Sequence, residues 1–262
     1  MSYTSARLAK QEKLFGRAAM VAIAETRLCV IGCGRNGSAF VTLAAYAGFR
    51  RFLLFDADVV RAHNLNATIP FFRADIGRPK VEVLKDRLRS IDPSIECEPI
   101  RERLGFSQAD KALERADALV DATDSIESKL KVNGFTARLH EKGRETKLLS
   151  LGSGAFVGDG RILQLGAQAT LYEKGGACLL CGSLDEAYYS NLSAVSLVVV
   201  NALASLLGLN LLLSALIDPA GLAGERNNFV LFDCLKQKSV SFRRVPRPDC
   251  AYCGVWTEGG ES

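Results

Sequence analysis

The residues able to do chemistry fall into two groups. In the first, Gly32, Gly34 and Gly37 follow a short apolar run in G-x-G-x-x-G spacing, and Asp56 closes a second apolar run downstream. Such glycines let the backbone turn tightly and approach phosphate, a following helix offers its N-terminal amides, and an acid about 20 residues on is placed for a ribose hydroxyl. The pattern says nucleotide without saying which one. In the second group, Cys178-Leu-Leu-Cys181 and Cys250-Ala-Tyr-Cys253 lie far apart in the chain. Each pair places two thiolates on one tight turn, and two such turns make a tetrahedral four-sulfur site suited to structural zinc. The competing reading is four unrelated buried thiols. Cys29, Cys33, Cys97 and Cys234 lie in or beside predicted strands and read as core residues.

These residues need elements to hold them. Leu28, Val30 and Ile31 predict a buried strand before the glycines, and Ala39, Phe40, Leu43, Ala44 and Ala47 predict a helix after them. Residues 52–55 predict the next strand. A helix over 80–91 starts at Pro79, with Val81, Val83, Leu84, Leu88 and Ile91 as its apolar stripe. Strands are predicted over 95–100, 118–120 and 147–151, and helices over 3–24, 107–115 and 125–141. The alternation of β and α over 27–151 implies an α/β fold with a doubly wound, Rossmann-like, mostly parallel sheet. Glycines at 152, 154, 158, 160 and 166 mark a change of character. Antiparallel strands such as 162–165 are expected to continue the sheet, and zinc would tie the C-terminus back to it. Asp121 and Asp124 follow the 118–120 strand, where open α/β sheets bind ligands. Asn64 and Asn66 would face the same way in an extended loop.

Composition removes several classes. A formal charge of +4 on 262 residues, with no basic block interleaved with aromatics, gives no support to nucleic acid as a partner. Eight cysteines behind a polar N-terminal stretch suit a reducing compartment, the cytoplasm. Residues 194–217 are long and apolar enough to span a bilayer. Asn201, Asn210 and several serines interrupt them, however, and no basic cluster or aromatic belt flanks them. A buried core or interface helix is expected there, and no membrane partner.

The glycine turn, Asp56-x-Asp58, Asn64-Leu-Asn66, Gly77-Arg-Pro-Lys80, Asp121-x-Thr-Asp124 and the paired C-x-x-C motifs occur in one order. Together they resemble the ThiF/MoeB/HesA family, bacterial relatives of ubiquitin-activating enzymes, over residues 7–254. The resemblance implies a single adenylation domain. It would comprise an N-terminal helical segment (1–26), a nucleotide-binding half (27–151), a part with antiparallel strands, buried helix and zinc site (152–254), and a tail (255–262). It implies use of Mg-ATP to adenylate the C-terminal glycine carboxylate of a small ubiquitin-like (β-grasp) or sulfur-carrier protein. It also implies a homodimer and a downstream conjugating or sulfur-transfer protein.

Carried over by motif, the Gly32–Gly37 turn would cradle phosphate and Asp56 would hold the ribose. Asn64 and Asn66 would lie in a phosphate-facing loop. Lys80 would contact phosphate as pyrophosphate leaves, and Asp124 would bind Mg2+. Asp58 reads equally as ligand or turn cap, and Asp121 equally as ligand or strand-end residue. Arg7-Leu-Ala-Lys10-Gln11 matches a family motif that lends an arginine to the other subunit's site, with lysine in the second place.

Three departures stand out. Arg35 occupies a usual glycine position, Ala67 stands where the family has an ATP-contacting arginine, and Lys129 replaces an expected arginine. Arg61, Arg73 and Arg35 are the candidates to replace the arginine missing at 67. No cysteine lies between Gly182 and Asp233, where thioester-forming members carry one; Ser190, Ser193 and Ser196 are there instead. The chain is therefore expected to stop at the adenylate. Three alternatives remain beside carrier adenylation: an activator of a small carboxylate, peptide end or tRNA base; an inactive or weakened ATP-binding subunit; and an NAD-dependent oxidoreductase.

Overall fold

The computed structural model describes residues 3–103, 107–159, 161–182, 192–193, 197–218 and 227–253. Two helices, α1 (Tyr3–Phe15) and α2 (Arg17–Glu25), precede the first strand. One helix was expected over this stretch; it breaks at Gly16, whose φ of 81° lies in the left-handed region. Then β and α alternate: β1 (Arg27–Ile31), α3 (Arg35–Ala47), β2 (Arg51–Phe55), α4 (Lys80–Ile91), β3 (Glu96–Ile100), α5 (Ser107–Glu114), β4 (Ala118–Asp121), α6 (Ile126–Glu141) and β5 (Lys147–Gly158). The remainder comprises β6 (Arg161–Tyr172), β7 (Leu192–Ser193), α7 (Val198–Ile217), β8 (Phe229–Asp233) and β9 (Lys238–Phe242).

All nine strands form one sheet in the order β3-β2-β1-β4-β5-β6-β8-β9, with β7 also beside β5. From β3 to β5 the neighbours are parallel; β6, β7, β8 and β9 join antiparallel. The expected antiparallel continuation is present, and its strands are longer than predicted. Side chains alternate along the central strands. Leu28, Val30, Phe52 and Leu54 face a core shared with α2, α3, α4 and α7. Cys29, Ile31, Leu53 and Phe55 face the opposite core, shared with α5, α6 and the cysteine turns. This is the period-two alternation of a sheet covered on both faces.

Helix α7, 20 residues long, is apolar enough to cross a membrane, with a mean hydropathy of 2.0 over an 18-residue window. Val200, Ala204, Leu211, Leu212 and Ala215 are buried within the fold. A Cβ on Gly208 would come within 2.3 Å of Leu151 Cδ2, so the helix lies directly on β5. The expected buried helix is therefore present over the described part; residues 194–196 of the predicted span lie outside the described residues.

Candidate active site

In the strand order, β1 stands between β2 and β4, so successive connections leave it in opposite directions. A crevice at the carboxyl ends of β1 and β4 is the ligand position of such sheets. Two turns meet there. Gly32 ends β1 with φ 90°, and a Cβ on it would lie 3.0 Å from the Ala122 carbonyl oxygen beyond β4. A Cβ on Gly37 would strike the Gly32 oxygen at 1.8 Å, so this position is closed to any side chain. Gly34, by contrast, faces open space. It is the N-cap of α3 and brings no side chain to cap the first-turn amides. Uncapped amides at a helix N-terminus are the donors an oxyanion needs.

Asp56 shapes this turn. Its Oδ2 accepts the Cys33 N–H at 2.7 Å and its Oδ1 accepts the Asp58 N–H at 2.8 Å. The excursion that follows closes on itself: Val59 bridges Pro79, and the Lys80 N–H donates to the Asp58 carbonyl. That closure delivers Lys80 to the crevice. Its side chain is buried, with Nζ 3.1 Å from Asp58 Oδ2 and 3.8 Å from Asp56 Oδ2. The hydrogen bond from Lys80 holds the Asp58 carboxyl below its ordinary range, against the upward pull of burial.

Inside the excursion the expectation for the asparagines fails. Residues 62–64 form a 3-10 turn and 65–67 a further turn, so the loop is wound and residues two apart do not share a side. Asn64 is half-buried and its Oδ1 caps the Arg61 N–H at 2.9 Å, whereas Asn66 is exposed. Ala67 is buried at 2% exposure. Of the three arginines that could stand in for the missing one, Arg61 and Arg73 are exposed, while Arg35 is half-buried in the first turn of α3. Among the described residues Arg35 has no acidic partner.

Asp121 and Asp124 separate cleanly. Asp121 is fully buried and saturated: Lys129 Nζ and Ser150 Oγ donate to Oδ2, each at 2.8 Å, and Thr123 Oγ1 and N–H donate to Oδ1 at 2.6 and 3.1 Å. It is the strand-end residue. Lys129 also donates to the Leu151 carbonyl at 3.0 Å, so its charge is committed inside the fold. Asp124 is exposed at the crevice and has no polar partner among the described residues. Ser125 caps α6 by accepting the Ser128 N–H.

Arg7 and Lys10 part company as well. Arg7 lies on the chain's own body, donating to Asp92 Oδ2 at 3.1 Å and to the Ala45 carbonyl at 3.2 Å. Burial would raise the Asp92 carboxyl, yet hydrogen bonds from Ser94, Thr4 and Arg7 hold it at about 2. Lys10, one turn along α1, is exposed.

A network that sequence reasoning missed joins the glycine turn to α7. The Asn201 Nδ2 donates to the Leu197 carbonyl, which fixes its amide, so Ser153 Oγ donates to Asn201 Oδ1 at 2.7 Å. The single hydroxyl hydrogen is then used, and the Asn36 amide, 3.2 Å away, must present its nitrogen to Ser153. Ser205 Oγ donates to the Asn36 carbonyl at 2.8 Å. The signal was available: Asn201 and Ser205 are two polar residues four apart on one face of an apolar helix.

On the opposite face of the sheet, the sulfurs of Cys178, Cys181, Cys250 and Cys253 all lie within 4.8 Å of one another. Cys178–Cys250 and Cys181–Cys253 sulfur distances are 3.5 and 3.2 Å. Zinc–sulfur bonds of about 2.3 Å in a tetrahedron require sulfurs about 3.8 Å apart, so the donor set fits zinc. The Cys178 and Arg247 N–H groups point at Cys253 and Cys181 sulfurs, as donors to thiolates would. Of the other cysteines, Cys29 and Cys33 are the core thiols expected, whereas Cys97 and Cys234 are half-buried. Burial pushes Cys33 up, and Cys97 up to about 12. Cys234 follows β8 directly and is also raised by burial. Ser193 lies in β7, while Ser190 and Ser196 lie outside the described residues.

Comparison with known proteins bears on this arrangement. The profile of the ThiF family matches residues 7–255. The chain is 26% identical over 241 residues to the molybdopterin-synthase adenylyltransferase of Escherichia coli, covering 89% of each. It is 27% identical to the sulfur carrier protein ThiS adenylyltransferase of the same organism, covering 88% of this chain and 86% of that one. Among solved structures, Escherichia coli MccB crystallised with ATP superposes with a TM-score of 0.76 at 18% identity, covering 94% of this chain and 74% of that one.

Proposed function

The chain belongs to the ThiF family, as an adenylyltransferase of ThiF/MoeB type, and from that premise we propose that it uses ATP to activate the C-terminal glycine carboxylate of a small ubiquitin-like or sulfur-carrier protein. One observation carries the reading: the buried Lys80 sits between Asp56 and Asp58 in the same crevice as an uncapped helix N-terminus and the uncommitted Asp124. The carrier's carboxylate oxygen attacks the α-phosphorus, the bond to the bridging oxygen breaks, and pyrophosphate leaves with the electron pair. Such a substitution asks mainly for positioning and for positive charge where negative charge accumulates. The first-turn amides of α3 would take phosphate oxygens beside Gly34. Asp56 would take a ribose hydroxyl, and Lys80 would offset the charge of the departing pyrophosphate. Asn64, as turn cap, and Asn66 would shape the loop facing the phosphates. Mg2+ held by Asp124 would neutralise phosphate charge.

The four cysteines would hold a structural zinc. Exposed Leu14, Val21, Val199 and Leu206 on α1, α2 and α7 support a homodimer, in which Lys10, and not Arg7, is available to the partner's crevice. With no cysteine between 182 and 233, the acyl group would pass to an external thiol or sulfide in the cytoplasm.

The test is ATP–pyrophosphate exchange with and without a β-grasp protein ending in glycine. Carrier-dependent exchange is expected. Exchange without any protein partner would instead indicate a small carboxylate or peptide end. A second reading, a weakened ATP-binding subunit, rests on the buried Ala67 and the internal commitment of Lys129. Tight ATP binding with no exchange under any condition would favour it.

A further inference from the structure

Helix α6 starts at the crevice and meets the cysteine turns at its middle, at Asn133 and Gly134. Its 16 residues make a rod about 24 Å long. Near its start Lys129 holds Asp121, Ser150 and the Leu151 carbonyl. One turn further, on the same face, lies Asn133. Asn133 is fully buried, and its Oδ1 accepts the N–H of Leu179, a residue between Cys178 and Cys181, at 2.9 Å. Its Nδ2 has no hydrogen-bond partner meeting normal geometry among the described residues, while the amide interacts with the Cys178 sulfur. A buried N–H2 without an acceptor is destabilising, and such groups are uncommon in folded proteins. A thiolate drawn to a metal is the acceptor this one lacks.

The second cysteine turn bears on the adjacent residue. A Cβ on Gly134 would lie 2.9 Å from Tyr252 Cε1, so the Tyr252 ring rests on the backbone of α6. Tyr252 lies between Cys250 and Cys253. Each C-x-x-C turn thus reaches α6 through a residue between its own two cysteines, one by a hydrogen bond and one by a ring.

We infer that Asn133 is a positioning residue that joins the metal site to the reaction crevice. It donates an N–H to the Cys178 thiolate of the loaded site while accepting from Leu179. In doing so it sets α6, which through Lys129 sets the turn from Asp121 to Asp124. The inference rests on the four cysteines holding zinc. Outer partners that orient metal ligands commonly change metal affinity by about 10–100-fold when removed.

Three variants separate the contributions. Asn133→Ala removes both contacts. Asn133→Asp keeps the acceptor for Leu179 but turns an oxygen to the thiolate. Tyr252→Phe keeps the ring on Gly134. Zinc content is measured first, then the rate of zinc transfer to a chromophoric chelator, then KM and kcat for Mg-ATP in pyrophosphate exchange. Expected are one zinc per wild-type chain, release at least about tenfold faster in Asn133→Ala and faster still in Asn133→Asp, and an unchanged rate in Tyr252→Phe. KM for Mg-ATP should rise more than kcat falls. Should the variants fail to fold, wild-type protein loaded with cadmium-113 provides the readout, because an N–H···S bond gives a scalar coupling between the Asn133 side-chain amide protons and the metal. Zinc present with wild-type release in Asn133→Ala, or no such coupling in the cadmium form, overturns the inference. Wild-type protein that binds neither metal overturns the zinc reading instead.

Discussion

Substituting Lys129 by methionine tests whether this residue serves the fold or the nucleotide. The side chain of Lys129 is 8% exposed and that of Asp121 fully buried, with 2.8 Å between them. Methionine keeps the aliphatic stem and removes the ammonium, so Asp121 keeps its bonds from Ser150 and Thr123 but loses its cation. Breaking a buried pair on one side typically costs about 3–5 kcal/mol, and the remaining hydrogen bonds place this case near the lower end, about 3 kcal/mol. For a chain of this size that corresponds to a fall in Tm of roughly 6–12 °C. Adding Asp121→Asn removes the stranded charge, so the double variant should recover about 2 kcal/mol as coupling energy. Urea unfolding followed by circular dichroism, with zinc content matched, measures the cycle; ATP affinity is measured on the same samples. Wild-type stability together with lost ATP binding would refute the reasoning, because Lys129 would then be acting on nucleotide and not on the fold.

Lys80→Ala removes the buried cation between Asp56 and Asp58 and should slow pyrophosphate exchange about 10²–10³-fold; a loss under tenfold would reject its assigned role. Asp58→Asn releases Lys80 from its carboxylate partner and should lower KM for ATP while leaving kcat within about threefold; a raised KM would make Asp58 a ligand. Asp92 sits at about 2, below the ordinary value of about 3.9. The stability it contributes is therefore present above about pH 4 and lost as pH falls through 2, worth on the order of 2 kcal/mol. Asp92→Asn should unfold more easily at neutral pH and lack that part of the acid limb, as urea midpoints between pH 2 and 7 would record; an unchanged limb would remove Asp92 from the account.

What the sequence made legible follows its periodicities. The β-α alternation, the apolar faces and the paired cysteines were visible because each depends on spacing along one segment. The split between Asp121 and Asp124 was not, since it is decided by Lys129 and Ser150 arriving from α6 and β5. The shared facing expected of Asn64 and Asn66 fails because the loop winds through two turns, which residue type alone does not announce. The helix predicted over 3–24 is broken by Gly16, a residue that a helical pattern tolerates on paper. Arg7 has the position of a donated arginine, yet it is bound by Asp92, 85 residues away.

The crevice settles its charges among its own residues. Asp56 gives one lone pair to each of two backbone N–H groups, which commits it to the shape of the glycine turn. A carboxylate has about four such sites, so it retains capacity for a ribose hydroxyl. Its oxygen is 3.8 Å from Lys80, whereas that of Asp58 is 3.1 Å away and belongs to a side chain 48% exposed. Asp58 is therefore the partner that can swing into solvent when a phosphate oxygen takes the ammonium. Lys80 stays buried and oriented throughout, so it need not be ordered at the moment of binding. In the proposed reaction, the negative charge of ATP would be met by an exchange of partners around Lys80. That exchange would carry more of the burden with Ala67 buried than with an arginine there, and it would leave Arg35, in the first turn of α3, as a half-buried cation with no acidic partner among the described residues.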